Sequence, residues 1–195
     1  MRGWLTKRRV LIAVLLVVGA AIAVPTALRL SDVVRSGHLI TRTDWRSAGL
    51  SAHEPVVGDV VMFGADMPEI ASGASITVLG VTLAKATPGI KLIGARRYER
   101  KDFGNSVPIA WQTKNGDRED LVDPHDRPST DLAGIVIEGD TDPELFIMFE
   151  FMVCAPGELS IDELDVKYKH KSDVYHQILK VSFDVRGAKP GVPCA

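Results

Sequence analysis

The chain has 195 residues and a mass of 21.2 kDa, is 46% hydrophobic and 25% charged, and carries a formal net charge of -2. This balance belongs to a globular protein of one or two domains and excludes a disordered, collagenous or polytopic membrane chain. Residues 1–30 hold five basic and no acidic side chains, which leaves 18 basic against 25 acidic residues, a net charge of -7, on the remainder; that argues against a nucleic-acid partner, because neutralising phosphates takes clustered Lys and Arg.

The N-terminal end is built for a membrane. Arg2, Lys7, Arg8 and Arg9 lead into an uncharged run from Val10 to Val24. Continued through Pro25, Thr26, Ala27 and Leu28, the run reaches 19 residues between Arg9 and Arg29, and a bilayer is spanned by about 20. Residues 1–30 are therefore expected to form a cytoplasmic basic end and one transmembrane helix. A secretory signal peptide has the same layout, with an A-x-A cleavage site at Ala21-Ile22-Ala23. Pro25 would stand two residues past that cut, where an extended substrate tolerates it poorly, so the anchor is preferred and a secreted domain is the alternative. No Cys closes the apolar run, which excludes a lipoprotein signal. The basic cluster sets the N-terminus in the cytoplasm and the C-terminal domain outside.

Residues 31–55 carry Ser31, Asp32, Arg35, Arg42 and Asp44 among scattered apolar residues and read as a juxtamembrane stalk. From 56 to 195 the texture becomes eight short apolar or alternating runs. They are Val56–Phe63, Ser75–Lys85, Ile90–Arg100, Val107–Thr113, Leu132–Glu138, Leu145–Cys154, Ile161–Lys171 and Tyr175–Val185. Pro88-Gly89, Asn115-Gly116, Pro156-Gly157 and Pro190-Gly191 lie between or after them and supply the φ values tight turns require. No helical period is sustained. The expected fold is all-β, a β-sandwich of immunoglobulin-like architecture with about eight strands.

Alternation places single residues. In the sixth run Leu145, Ile147, Phe149, Phe151 and Val153 share one face, and Phe146, Met148, Glu150, Met152 and Cys154 the other. Apolar content on both faces implies a central strand. Glu150 is expected near a sheet margin, meeting water or an Arg; the other reading is a buried carboxylate with a raised pKa. In the seventh run Lys167, Lys169 and Lys171 share a solvent face; such a lysine comb suits anionic lipid headgroups or cell-wall polymer, and on an edge it discourages strand addition.

The stretch Lys114–Asp131 has no strand pattern and is longer than a compact sandwich needs. Its Asp117, Glu119, Asp120, Asp123, His125 and Asp126 form the candidate interaction loop. Calcium was weighed for these acids and for Glu138, Asp140, Asp142 and Glu144, but the calcium-loop pattern fails, because Leu145 stands where its glycine belongs. A blue-copper site fails because Glu158, with no later Met, follows Cys154-Ala155-Pro156-Gly157. Neither G-x-S-x-G nor H-E-x-x-H occurs, and Asp123, His125 and Ser129 make only a weak triad on one loop. No enzyme, metal or cofactor is expected. The two cysteines, Cys154 and Cys194, fall in the exported part and are expected to pair, with free thiols or a metal pair as alternatives.

From Gly134 onward the chain resembles uncharacterised bacterial single-pass extracytoplasmic proteins with a sandwich domain. The resemblance rests on Leu145–Val153, Pro156-Gly157, Ile161–Tyr168, Tyr175–Val185 and Cys194, and on Leu79-Gly80-Val81 and Pro88-Gly89-Ile90 within 76–94. It implies location and fold, and no activity. The functional expectation is a membrane-anchored interaction or accessory module for an unidentified protein partner at the cell surface. The alternative is a secreted ligand- or calcium-binding domain.

Overall fold

The computed structural model describes residues 34–43, 50–104, 110–112, 123–139, 144–192 and 194. Among them no helix is long and apolar enough to cross a membrane, and the anchor expected over Val10–Leu28 lies outside them. One compact unit spans Ser36–Ala195; the other, Met1–Arg35, is described only at Val34 and Arg35.

The described strands are β1 (Arg35–Ser36), β2 (Leu50–His53), β3 (Val60–Asp66), β4 (Ser75–Ala86), β5 (Ile90–Glu99), β6 (Ala110–Gln112), β7 (Thr130–Asp131), β8 (Val136–Glu138), β9 (Leu145–Val153), β10 (Gly157–His170) and β11 (Asp173–Ala188). They build two sheets. The first runs β1-β11-β10-β4-β8, with β2 also beside β11, and the second runs β6-β3-β9-β5-β7. β10 pairs antiparallel with β11 and β4, β4 with β8, β3 with β6 and β9, and β5 with β7 and β9, whereas Leu50–His53 of β2 runs parallel to Phe183–Arg186 of β11. All eight expected runs have a strand in this fold, an all-β sandwich.

Period-two alternation builds the core. Ile147, Phe149, Phe151 and Val153 of β9 point inward with Val61 and Phe63 of β3, and meet Leu164, Val166 and Tyr168 of β10 and Leu179, Val181, Phe183 and Val185 of β11. The Phe183 ring lies 5.3 Å from that of Phe63 and 6.1 Å from that of Phe151, so aromatic contacts lock the two sheets together. Each such fully buried side chain contributes about 1.5–3 kcal/mol relative to exposure. Bulges re-phase the pattern. Val78 pairs with Tyr168 but Gly80 with Lys167, so Leu79 is an inserted residue; Ile76 and Val78 point to the core before it, Val81 and Leu83 after it.

Of the segment read from its composition as a stalk, the described residues 36–43 and 50–55 belong to the domain. Ile40 is 1% exposed in the main core, its N–H and C=O held by the Gln177 amide at 3.2 and 2.7 Å. The Gly37 N–H donates to the His176 carbonyl at 2.7 Å, and the Leu39 N–H to the Tyr168 hydroxyl at 3.2 Å. A Cβ on Gly37 would overlap the Tyr168 phenol, so only glycine admits this approach. The compact unit thus begins near Ser36 rather than at 56, because a few buried anchors hold a polar segment whose overall composition hides them.

Candidate functional site

β9 is buried on both faces, and the face turned away from the main core carries the polar chemistry. Phe146 and Met148 on that face join Met62, Tyr98, Phe103 and Trp111 in a second apolar cluster. A 3-10 turn over Arg100–Phe103 lays Phe103 edge-on against Tyr98 at 5.5 Å and Phe146 at 5.3 Å. This cover explains why so hydrophobic a sheet face is not left to solvent.

Glu150 continues the same face, in register with Met62 of β3 and Gly94 of β5. It sits on the central strand, 6% exposed, and not near a sheet margin as expected. The expected Arg is present: Arg96 Nε lies 2.8 Å from Glu150 Oε1, a charge contact rather than an aligned hydrogen bond. Arg96 Nη1 donates to Ser129 Oγ at 3.3 Å, so one guanidinium ties the buried carboxylate to the loop above it.

That loop re-enters at Asp123. A 3-10 turn follows over Pro124–Asp126, capped by Asp123, whose Oδ1 accepts from the His125 backbone N–H at 2.8 Å and lies 3.0 Å from His125 Nδ1. His125 Nε2 faces Glu150 Oε2 at 3.9 Å, and its ring stands edge-on to Trp111, centroids 5.2 Å apart. Imidazole therefore sits between the two carboxylates, within hydrogen-bond distance of Asp123 and 3.9 Å from Glu150. Burial pushes the Tyr98 phenol above its ordinary 10.0; Ser129 opposes that shift, while the Glu150 charge adds to it. Ser129 stands close without a well-aligned hydrogen bond, so the Tyr98 hydroxyl, like Trp111 Nε1, is buried with no hydrogen-bond partner.

Of the six candidate loop residues, the structure brings Asp123 and His125 together and leaves Asp126 exposed at the end of the turn. Asp117, Glu119 and Asp120 lie outside the described residues. The weak triad does not assemble: His125 Nε2 faces a carboxylate, and Ser129 Oγ is held by Arg96. Among the described residues no group of three or more His, Cys, Asp or Glu side chains could hold a metal ion. His170 and His176 do not face one another; the first contacts the Ser75 carbonyl at 2.7 Å, the second Asp165 Oδ2 at 3.3 Å. Cys154 and Cys194 form a disulfide, with Cα atoms 5.2 Å apart.

Arg96, Tyr98, Trp111 and Gly94 were not singled out from the sequence. Glycine inside the apolar run of β5 was the available signal, since it marks a close approach. Comparison with family models, curated proteins and solved structures gives no match to this chain. Its function has to be argued from these residues.

Proposed function

We propose that the protein is a single-pass membrane protein whose extracytoplasmic sandwich serves as a protein-interaction module, its contact loop seated on the outer face of the second sheet. The observation that carries the reading is the seating itself: Asp123, His125 and Ser129 are fastened to the buried Glu150–Arg96 pair, which fixes the base of a long polar loop on a rigid central strand. Function grafted on a rigid scaffold takes this form. Among the described residues His125 Nε2 faces the Glu150 carboxylate, and we read the site as one for binding.

The immunoglobulin-like reading draws support from strand order. β3-β9-β5 corresponds to B-E-D and β11-β10-β4 to G-F-C, with the chain changing sheets between β3 and β4, β4 and β5, and β9 and β10. The location rests on the charge and length of residues 1–30. We carry the resemblance to bacterial extracytoplasmic proteins as part of the same reading.

Cross-linking in intact cells tests it, comparing the full chain with a variant in which 117–126 is replaced by a Gly-Ser linker. The expected result is one neighbour captured by the first and lost with the second, both chains sedimenting with washed membranes. Unchanged capture would remove the loop from the proposal. Recovery from the medium without the first 23 or so residues would overturn the anchor and favour the secreted alternative.

A further inference from the structure

The loop and its Glu150 seat leave one motif unused, the comb of Lys167, Lys169 and Lys171. β10 is not an edge strand; it lies between β11 and β4, so the lysines do not guard an edge. All three are exposed, Lys167 and Lys169 on β10 and Lys171 in the hairpin turn just beyond it, at φ 55°. Lys167 stands in register with Gly80 on one side and His176 on the other, and Lys169 with Thr77 and Val174, so no acid is directly opposite either. Asp165, two residues before Lys167 on β10, is engaged by His176 at 3.3 Å, and Asp173 stands opposite His170 at the hairpin turn. Two of the large hydrophobics that remain exposed belong here: Leu79, 41% exposed at its bulge beside Lys167, and Ile178, 39% exposed in register with Asp165. Basic heads flanked by exposed apolar side chains are the surface that an anionic bilayer attracts.

If residues 10–28 span the bilayer, the length of chain that follows them limits which part of the sandwich can lie near the lipid. Gly37 is pinned to His176, whose register partner is Lys167 itself. If Val10–Leu28 spans the bilayer, eight residues separate its end from Gly37, a reach of at most about 30 Å fully extended. β10 and β11 run 14 and 16 residues away from this end, or about 45–50 Å. Lys85 and Lys189 lie toward the opposite end, at the far ends of β4 and β11.

We propose that the outer face of the first sheet, at the β10–β11 hairpin end, rests on anionic phospholipid headgroups through Lys167, Lys169 and Lys171, with Leu79 and Ile178 dipping into the interface. The inference rests on the anchor reading above, and its test separates the two.

The full chain is reconstituted into vesicles of phosphatidylcholine alone, or with phosphatidylglycerol as an anionic third, and its lysines are acylated and quantified by mass spectrometry. Lys167, Lys169 and Lys171 should be protected about fivefold in the anionic vesicles relative to Lys85 and Lys189, as expected for charges held at a lipid surface. High salt should erase the difference. Lys167→Glu, a change at an exposed position, should cost Lys169 and Lys171 their protection. A chain that does not float with either vesicle overturns the anchor and this inference with it. A chain that floats with evenly labelled lysines overturns the docking face alone.

Discussion

Gly94 and Glu150 face one another across the β5–β9 ladder so closely that a Cβ on Gly94 would lie 3.1 Å from the Glu150 carboxylate. Gly94→Ala should therefore push the carboxylate off Arg96, costing about 1–3 kcal/mol as overpacking does. A thermal melt with an unchanged midpoint would show that the carboxylate moves aside freely.

The Glu150–Arg96 pair is buried at one end and half-exposed at the other. A double-mutant cycle of Glu150→Gln and Arg96→Gln should give a coupling toward the lower part of the ~0.5–3 kcal/mol range for contacting residues, since solvent screens the Arg end. Zero coupling would reduce the pair to mere proximity.

Asp123→Ala removes the cap of the Pro124–Asp126 turn and the partner of His125 Nδ1. The amides of Asp126 and Arg127, which donate to Asp123 and Pro124 carbonyls at 3.2 and 3.1 Å, should exchange about fivefold faster, in line with a lost cap of ~1 kcal/mol. Hydrogen exchange with mass spectrometry reads it directly, and unaltered rates would mean the loop is seated by Trp111 and Arg96 alone.

Two buried tyrosines should answer oppositely to loss of their hydroxyls. Tyr168 accepts from Leu39 and donates to Gln177 at 3.1 Å, so Tyr168→Phe strands buried partners at a cost of about 1–3 kcal/mol. Tyr98 has no such bond, and Tyr98→Phe should leave stability unchanged or raise it. Burial raises both phenols above 10.0. The folded chain then keeps protons the unfolded chain releases, so stability is full below that pH and falls as pH rises through it. Melts across about pH 9–11 should show a shallower decline for Tyr98→Phe than for the parent.

Reduction of Cys154–Cys194 reopens a separation of 40 residues, and the double Ser variant should lose about 3–4 kcal/mol by the chain-entropy estimate. Intact mass under non-reducing conditions should be two hydrogen atoms lower than after reduction.

The parts of this fold legible in the sequence were those governed by alternation within one strand. The two faces of β9 could be read directly from Leu145 to Val153, because burial on both sides writes itself as an apolar run broken only at Glu150. Ile40 and β2 could not, since their burial depends on Gln177 and β11, more than a hundred residues away. The seat of the loop was half legible. Asp123 and His125 stood out by composition, while Arg96 and Trp111 sit in strands whose pattern is explained without them, and only the register of β5, β9, β3 and β6 brings them to Glu150.

The parallel pairing of β2 with β11 also sets how the domain meets mechanical force. A pull entering from the N-terminal side along β2 loads the rungs from Leu50–Phe183 to His53–Arg186 in shear, so they must fail together rather than peel one by one. The disulfide, joining Cys194 beyond β11 to Cys154 after β9, fastens the opposite strand of that clamp to the second sheet. Such a load would meet Gly37, Leu39 and Ile40 first, held to His176, Tyr168 and Gln177, and the β2–β11 rungs next.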